Sequence, residues 1–386
     1  MHSRLNEVLY ESRSLRKLMP AWLKEHIGRC SPTRFLDYLQ LSFAKRDPYA
    51  DDERFGQYKG KSRYTLGIVK EFTHSHRHYI ATCRQMDVSY KVLDITASNW
   101  VEVIRNSQCD AFLIWPSPLM TIWKQMYDER LRVMVHDMGK IIFPSYDELW
   151  MWKSKRRMRD WLAAHNIPHP RTWIFYNLDE AKQFVEAAQF PVVFKPDFGD
   201  CARGVKIVRS KKEAQAILKK AFTRGIRLPG AHHLDLQWGN VVFQEYLPEV
   251  AEWRMVRIGE SYFGFEKLRK GDFHSGSHAW RYARPPSQLL SFVRYVTDKG
   301  EFSSMSLDVF LTSEGQYLVN ELQSLFGMLT PSEPQCVIDD KPGRMVYDPK
   351  TDSWKFEPGN FCENHLCNLR VKTTLRLLEE DARLRE

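Results

Sequence analysis

What this sequence lacks narrows it first. No C-x-x-C pair occurs, and the seven cysteines (Cys30, Cys83, Cys109, Cys201, Cys336, Cys362, Cys367) are odd in number and widely scattered. That argues against a disulfide framework and for reduced thiols. Long apolar runs are missing too. The opening stretch, MHSRLNEVLYESRSLRKLMPAWLKEH, carries charge every few residues, so it holds neither the core of a signal peptide nor a membrane span. A cytoplasmic protein without a membrane partner is expected. Low-complexity tracts and clear internal repeats are absent as well, which sets aside fibrous and solenoid architectures.

What is present is the composition of a packed globular protein: 43% hydrophobic, 13% aromatic and 27% charged residues. A length of 386 residues allows two or three domains, each with its own core. Basic residues exceed acidic ones for a net charge of +9, which suits nucleic acid, an anionic surface or a phosphate-bearing ligand. The excess is spread along the chain. Its densest run, Lys153, Lys155, Arg156, Arg157 and Arg159, falls on a predicted helix, where a solvated face explains it. Nucleic acid is therefore not expected as a partner.

Residues 1–60 read as a mainly helical arm ending in the turn-rich AKRDPYADDERFGQYKGKS. Over 61–148, short apolar runs (YTLGIVK, YKVLDI, DAFLIW, MGKIIFPS) alternate with amphipathic segments, the pattern of a small parallel sheet wound with helices. A second unit opens near 149 with MWKSKRRMRDWLAAHN at helical spacing, followed by the break IPHP. Helices and strands PVVFKP and GVKIVR complete a lobe at 149–240. A further lobe over 241–335 (VVFQEYL, WRMVRIG, SYFGFEKLR, SLDVFLT, QYLVNELQ) has strands that follow one another without helices, so its sheet should be largely antiparallel. Residues 336–386 are read as a C-terminal tail. The fold class is α/β with an α+β portion.

Two segments carry chemistry. In PVVFKPDFGDCARGVKIV, Lys195 ends a strand and is followed by a turn with Gly199 and Gly204. Glycines let backbone amides approach anionic oxygens, and the lysine supplies a point charge, although such a hairpin can equally be a plain turn. In SLDVFLTSEGQYLVNELQSLFG, Asp308 lies on one strand and Glu321 with Gln323 on the next, the last two on one face. Hard oxygen ligands of that kind suit Mg²⁺; an edge hairpin with solvent-facing polar residues is the other reading.

In this order, with Lys155 and the QEYL segment, the pieces resemble the ATP-grasp superfamily, over roughly 150–330. The preceding wound sheet resembles its Rossmann-like pre-ATP-grasp domain, and the closest pattern is that of peptide-type carboxylate-amine ligases such as the ribosomal-protein glutamate ligases. The resemblance implies phosphate contacts from Lys155, thirteen residues before Pro168, and from Lys195. It implies a hinge on the adenine edge from Gln244, Glu245, Tyr246 and Leu247, with Glu252 on the ribose. Lys267 and Arg269 in KLRKGDFHSGS, with Arg254, match catalytic basic positions, while His274 and Gly276 replace an arginine and an asparagine. Asp308, Glu321 and Gln323 match a metal triad whose last member is usually asparagine.

ATP with Mg²⁺ or Mn²⁺, a carboxylate substrate and an amine are thus the implied partners, joined through an acylphosphate. A kinase acting on a hydroxyl, or nucleotide binding without turnover, are the alternatives. His74, His76 and His78 lack a carboxylate or cysteine partner in sequence and are read as lining the substrate pocket, because loops after strands of such sheets face the cleft. Cys362, His365 and Cys367 have no zinc-knuckle spacing and are read as structural.

Overall fold

An apolar run as short as LGIV, polar only at its flanks, suits a strand covered on both faces. In the computed structural model it is the middle strand of the first sheet. The structure describes residues 55–385 apart from 72–74, 117–119, 200–201, 230, 232–233, 272–273, 275–278 and 327–333. Most of the expected N-terminal arm, with Cys30, Cys201, His74 and Gly276, lies outside the described residues.

The first sheet comprises β1 (Gln57–Tyr58), β2 (Thr65–Val69), β3 (Ser89–Leu93), β4 (Ala111–Leu113) and β5 (Ile141–Phe143), in the order β1-β3-β2-β4-β5. All pairs are parallel except the edge strand β1, so the sheet begins within the segment read from sequence as the arm. Helices α1 (Arg77–Gln85), α2 (Trp100–Asn106) and α3 (Thr121–Arg132) wind around it. Leu66, Ile68, Phe112 and Tyr79 are fully buried in its core. Gly67 is required there, since a Cβ would stand 2.4 Å from the Phe112 ring.

After α4 (Tyr146–Met151), which Ser145 and Glu148 open with a reciprocal capping box, comes α5 (Lys155–Ala164). The predicted single helix is thus two, broken at 152–154, where Lys153 takes φ +69°. A small antiparallel sheet follows, from β6 (Thr172–Phe175), α6 (Leu178–Ala187), β7 (Val192–Lys195), β8 (Lys206–Val208) and α7 (Lys211–Thr223). A two-stranded ribbon, β9 (Ile226–Arg227) with β10 (Leu236–Gln237), leads to β11 (Val241–Glu245). The order β6-β11-β7-β8 puts β11 inside this sheet, so the lobe break falls after Glu245 and not at 240/241.

The large sheet holds β12 (Val250–Ile258), β13 (Ser261–Lys267), β14 (Trp280–Arg281), β15 (Ser304–Thr312), β16 (Tyr317–Gln323), β17 (Val337–Ile338), β18 (Lys341–Asp348) and β19 (Ser353–Pro358), with α8 (Ser287–Lys299) packed on it. Every pair is antiparallel, as expected. The segment read as a C-terminal tail is no separate tail. β18 pairs with β13, and α9 (Cys367–Arg385) crosses back to α1 of the first sheet. Among the described residues, no helix is long and apolar enough to cross a membrane.

Candidate active site

Period-two alternation on β12 sends Glu252 and Arg254 to one face of the large sheet. Register does the rest. Glu252 stands opposite Lys267, Arg254 opposite Asp308, and Asp308 opposite Glu321, so five charged side chains form one row across four strands. Lys267 donates from Nζ to Glu252 Oε1 at 2.6 Å and to Asp308 Oδ2 at 2.5 Å. Arg254 grips both Asp308 oxygens, Nε to Oδ1 at 2.9 Å and Nη2 to Oδ2 at 3.1 Å. Burial opposes the Asp308 charge, but Arg254 and Lys267 outweigh it and hold its pKa below the ordinary value. Asp308 holds the Arg254 pKa above its ordinary value in the same way, again against burial.

The two predicted phosphate lysines arrive from other elements. Lys155 is the first residue of α5, where the Ser154 side chain caps the helix by accepting from Arg157 N. Asp197, just after β7, fastens that turn: it accepts from Ser154 Oγ at 2.8 Å and Arg156 N at 3.0 Å, and its carbonyl accepts from Lys155 N at 3.0 Å. Lys155 Nζ then lies 3.0 Å from Glu321 Oε1 and donates to Gly199 O at 2.5 Å. Lys195, ending β7, donates to Asn320 Oδ1 at 2.8 Å. Burial pulls its ammonium down to about 8, against the pull of Glu321. Three cations (Lys155, Arg254, Lys267) therefore pair with three carboxylates (Glu252, Asp308, Glu321), and Lys195 on Asn320 adds a fourth positive charge beside them, an excess suited to a polyanion.

Asn320 is a site residue that spacing alone misses. The ladder slips between Asp308 and Val309, so Asn320 is the extra residue of a β-bulge and its side chain reaches Lys195. Nothing in one sequence announces a bulge. Asp197 was missed for a similar reason, since its partners lie some forty residues away in α5.

Metal fit rests on Gln323. Its Nε2 donates to Glu321 Oε1 at 2.7 Å, while its buried Oε1 has no hydrogen-bond partner among the described residues. An orphaned buried carbonyl oxygen beside two cross-strand carboxylates is a hard donor awaiting a cation. Among the described residues no cluster of three or more His, Cys, Asp or Glu is placed for a metal, so a site here consists of two carboxylates and the amide. In donor type the three predicted ligands suit Mg²⁺, while the Asp308 oxygens are held by Arg254 and Lys267 and Glu321 Oε1 by Lys155.

Other predicted residues lie around this row. Glu245 accepts from Arg171 N and Nε, both at 2.7 Å, and Gln244 donates to Thr172 Oγ1 at 3.1 Å, which ties the β11 end to β6. Tyr246 and half-buried Leu247 link the two sheets. Arg269 is turned toward this link, donating to Pro248 O at 2.5 Å and Tyr246 Oη at 3.3 Å, away from the carboxylates. Glu252 is 2% exposed and is held by Lys267, with His274 Nδ1 at 3.7 Å from its other oxygen. Burial lowers the His274 pKa, so it adds no firm charge. Gly204 takes φ +77° in the turn after β7.

Comparison with known proteins speaks to the fold. Residues 153–232 match the family model of the phosphoribosylglycinamide synthetase ATP-grasp (A) domain. D-alanine–D-alanine ligase from Bacillus anthracis superposes with a TM-score of 0.52 at 15% identity, over 82% of this chain and 99% of that one. The chain has the ATP-grasp fold. A second solved structure, the biotin carboxylase domain of Hydrogenobacter thermophilus 2-oxoglutarate carboxylase, gives a TM-score of 0.52 at 11% identity over 70% of this chain and 66% of that one. No curated protein sequence matches the chain. The charged row lies on the large sheet; Lys195 reaches it from the end of β7 in the small sheet, whereas Lys155 heads α5, whose Met158 and Leu162 pack in the large-sheet core.

Proposed function

We propose that this chain binds ATP with Mg²⁺ or Mn²⁺ between its small and large sheets and acts as an ADP-forming carboxylate-amine ligase. The observation that carries the proposal is the convergence of three cations, Lys155, Arg254 and Lys267, on Asp308 and Glu321, with Lys195 on the neighbouring Asn320 and the buried Gln323 Oε1 without a partner among the described residues. Among the similar structures, the Bacillus anthracis ligase is also known complexed with ATP (TM-score 0.51, 16% identity), and the Hydrogenobacter domain with MgADP.

Asp308, Glu321 and Gln323 would hold the metal, which when bound neutralises charge on the phosphates. Lys155 and Lys195 would exchange Glu321, Gly199 O and Asn320 for phosphate oxygens. Arg254 and Lys267, already fixed by Asp308, need no reorganisation to stabilise charge that builds up as the γ-phosphoryl group leaves ADP. Gln244 through Leu247 would flank the base, with Glu252 toward the ribose. The substrate carboxylate attacks the γ-phosphorus to give an acylphosphate and ADP. An amine then displaces phosphate, forming the amide and releasing a proton.

The test is incubation with ATP, Mg²⁺ and a metabolite extract, following ADP and new masses. A product equal to acid plus amine minus water supports the ligase. A metabolite heavier by one phosphoryl group identifies a kinase, and ADP release equal to that of Asp308→Ala sinks both.

A further inference from the structure

Helix α7 stops where Gly225 takes φ +78° with its amide donating to Lys220 O, and the chain reverses there into the β9–β10 ribbon. The ribbon is fastened at both ends. Gly239 N donates to Ala221 O at 3.0 Å and Trp238 Nε1 to Thr223 O at 3.1 Å, which ties its base to α7. Toward its tip, Asp235 accepts from Thr121 N at the start of α3 at 3.3 Å. Helix α3 is itself joined to α5, the helix that Lys155 heads, by the Asp128–Arg157 ion pair. A two-stranded ribbon alone is marginal in water, so these anchors set its position and place it in one frame with Lys155.

Between its anchors the ribbon meets the glycine turn after β7. Gln237 Nε2 donates to Phe198 O at 2.8 Å. Leu228, the residue after β9, lies against both glycines: a Cβ on Gly204 would stand 2.8 Å from Leu228 Cδ2, and one on Gly199 would stand 3.3 Å from Cδ1. Gly204 therefore serves the packing of Leu228 as well as its own φ of +77°. Gln237 also lines one pocket with Lys195, Asp197 and Asn240, so the contact lies next to a lysine assigned above to a phosphate.

The turn has a further tether, from Lys155 Nζ to Gly199 O at 2.5 Å. In the nucleotide complex proposed above, Lys155 exchanges that carbonyl for a phosphate oxygen. The turn then keeps the Ser154–Phe198 bridge at its base and its contacts with the ribbon. We propose that Gln237 and Leu228 are positioning residues, through which the β9–β10 ribbon acts as a strut that holds the glycine turn at the phosphate end of the nucleotide site. This rests on the nucleotide reading above. A strut of this kind matters to the phosphates that the turn covers and not to the base, which lies toward β11 and the link between the sheets in that reading.

The test compares the full chain with Gln237→Met, which keeps side-chain length and removes the donor. Two quantities are read: calorimetric affinity for ATP and for AMP, each with Mg²⁺, and the initial rate of tryptic cleavage after exposed Arg203 in the turn. That rate is taken by mass relative to cleavage after exposed Lys350 in the β18–β19 turn. Loss of one hydrogen bond is expected to weaken ATP about fivefold and to speed cleavage after Arg203 about fivefold. AMP affinity should stay at the wild-type value, and the thermal midpoint should move by less than about 4 °C. Equal loss of ATP and AMP, unchanged ATP affinity, or an unchanged Arg203 rate would each overturn the proposal. If Gln237→Met does not fold, Leu228→Ala decides by the same readouts, because it keeps the hydrogen bond and removes the contact with both glycines. Wild type that binds neither nucleotide removes the nucleotide reading and with it the phosphate part of this proposal, and the Arg203 rate alone then tells whether the ribbon holds the turn. Wild type that binds ATP, with a variant that binds it equally well, refutes the strut and leaves the nucleotide reading intact.

Discussion

Asp308 is where stability and activity are expected to separate most cleanly. It is 2% exposed and accepts three hydrogen bonds, two from Arg254 and one from Lys267. In Asp308→Ala, Lys267 keeps Glu252 at 2.6 Å, but Arg254 loses both of its bonds and is left as a charge without its carboxylate. Breaking one partner of a buried pair costs about 3–5 kcal/mol, which at the size of these lobes lowers the thermal midpoint on the order of 10 °C. Replacing the stranded arginine as well, in Asp308→Ala/Arg254→Met, should recover about 2 kcal/mol or more, since an apolar chain in that volume carries no desolvation penalty. Both variants lose ATP turnover. Chemical denaturation of wild type, both single variants and the double variant gives the coupling directly. Strictly additive effects, or an Asp308→Ala protein as stable as wild type, would refute the picture of a pre-paired charge row. Because the folded Asp308 pKa lies below its ordinary 3.8, its contribution is present above about pH 4 and is lost as pH falls below that.

Lys195, drawn down to about 8 by burial, should make Mg²⁺–ADP affinity fall by up to about tenfold per pH unit above 8, and Lys195→Arg should flatten the profile. The ligand-free protein moves oppositely, because a lysine pKa below its ordinary 10.5 makes the unfolded chain bind the proton more tightly. Stability therefore rises between about pH 8 and 10.5; a flat affinity profile from pH 7 to 9.5 counts against both statements. Gln323→Leu should keep the fold, since it loses only the Nε2 bond to Glu321, a cost of about 1 kcal/mol, while Oε1 has no partner among the described residues, yet weaken Mg²⁺-dependent nucleotide binding about tenfold or more by calorimetry. Unchanged metal dependence would remove Gln323 from the ligand set.

The strand alternation of β12 and β13, the antiparallel large sheet and Lys195 at the end of a strand before a glycine turn were legible from periodicity and turn residues, because those signals are local, whereas Lys155 was singled out by resemblance alone. The same is true of Glu321 and Gln323 sharing a face. Three outcomes were not local. Which residues of β15 and β16 oppose each other depends on ladder register, and the bulge at Asn320 changes that register by one without any mark in composition. The lobe break after Glu245 depends on β11 pairing with β6 and β7, strands that lie up to about seventy residues away in sequence. Residues 336–386 read as a tail because short polar-flanked strands and one helix carry no sign of their destination. Only docking of α9 against α1 buries Arg370, a basic residue of that helix, against the Trp115 and Phe326 rings. Sequence pattern settles which face of an element is apolar; chain closure over long separations settles which charges meet, and the chemistry of this protein lies in those meetings.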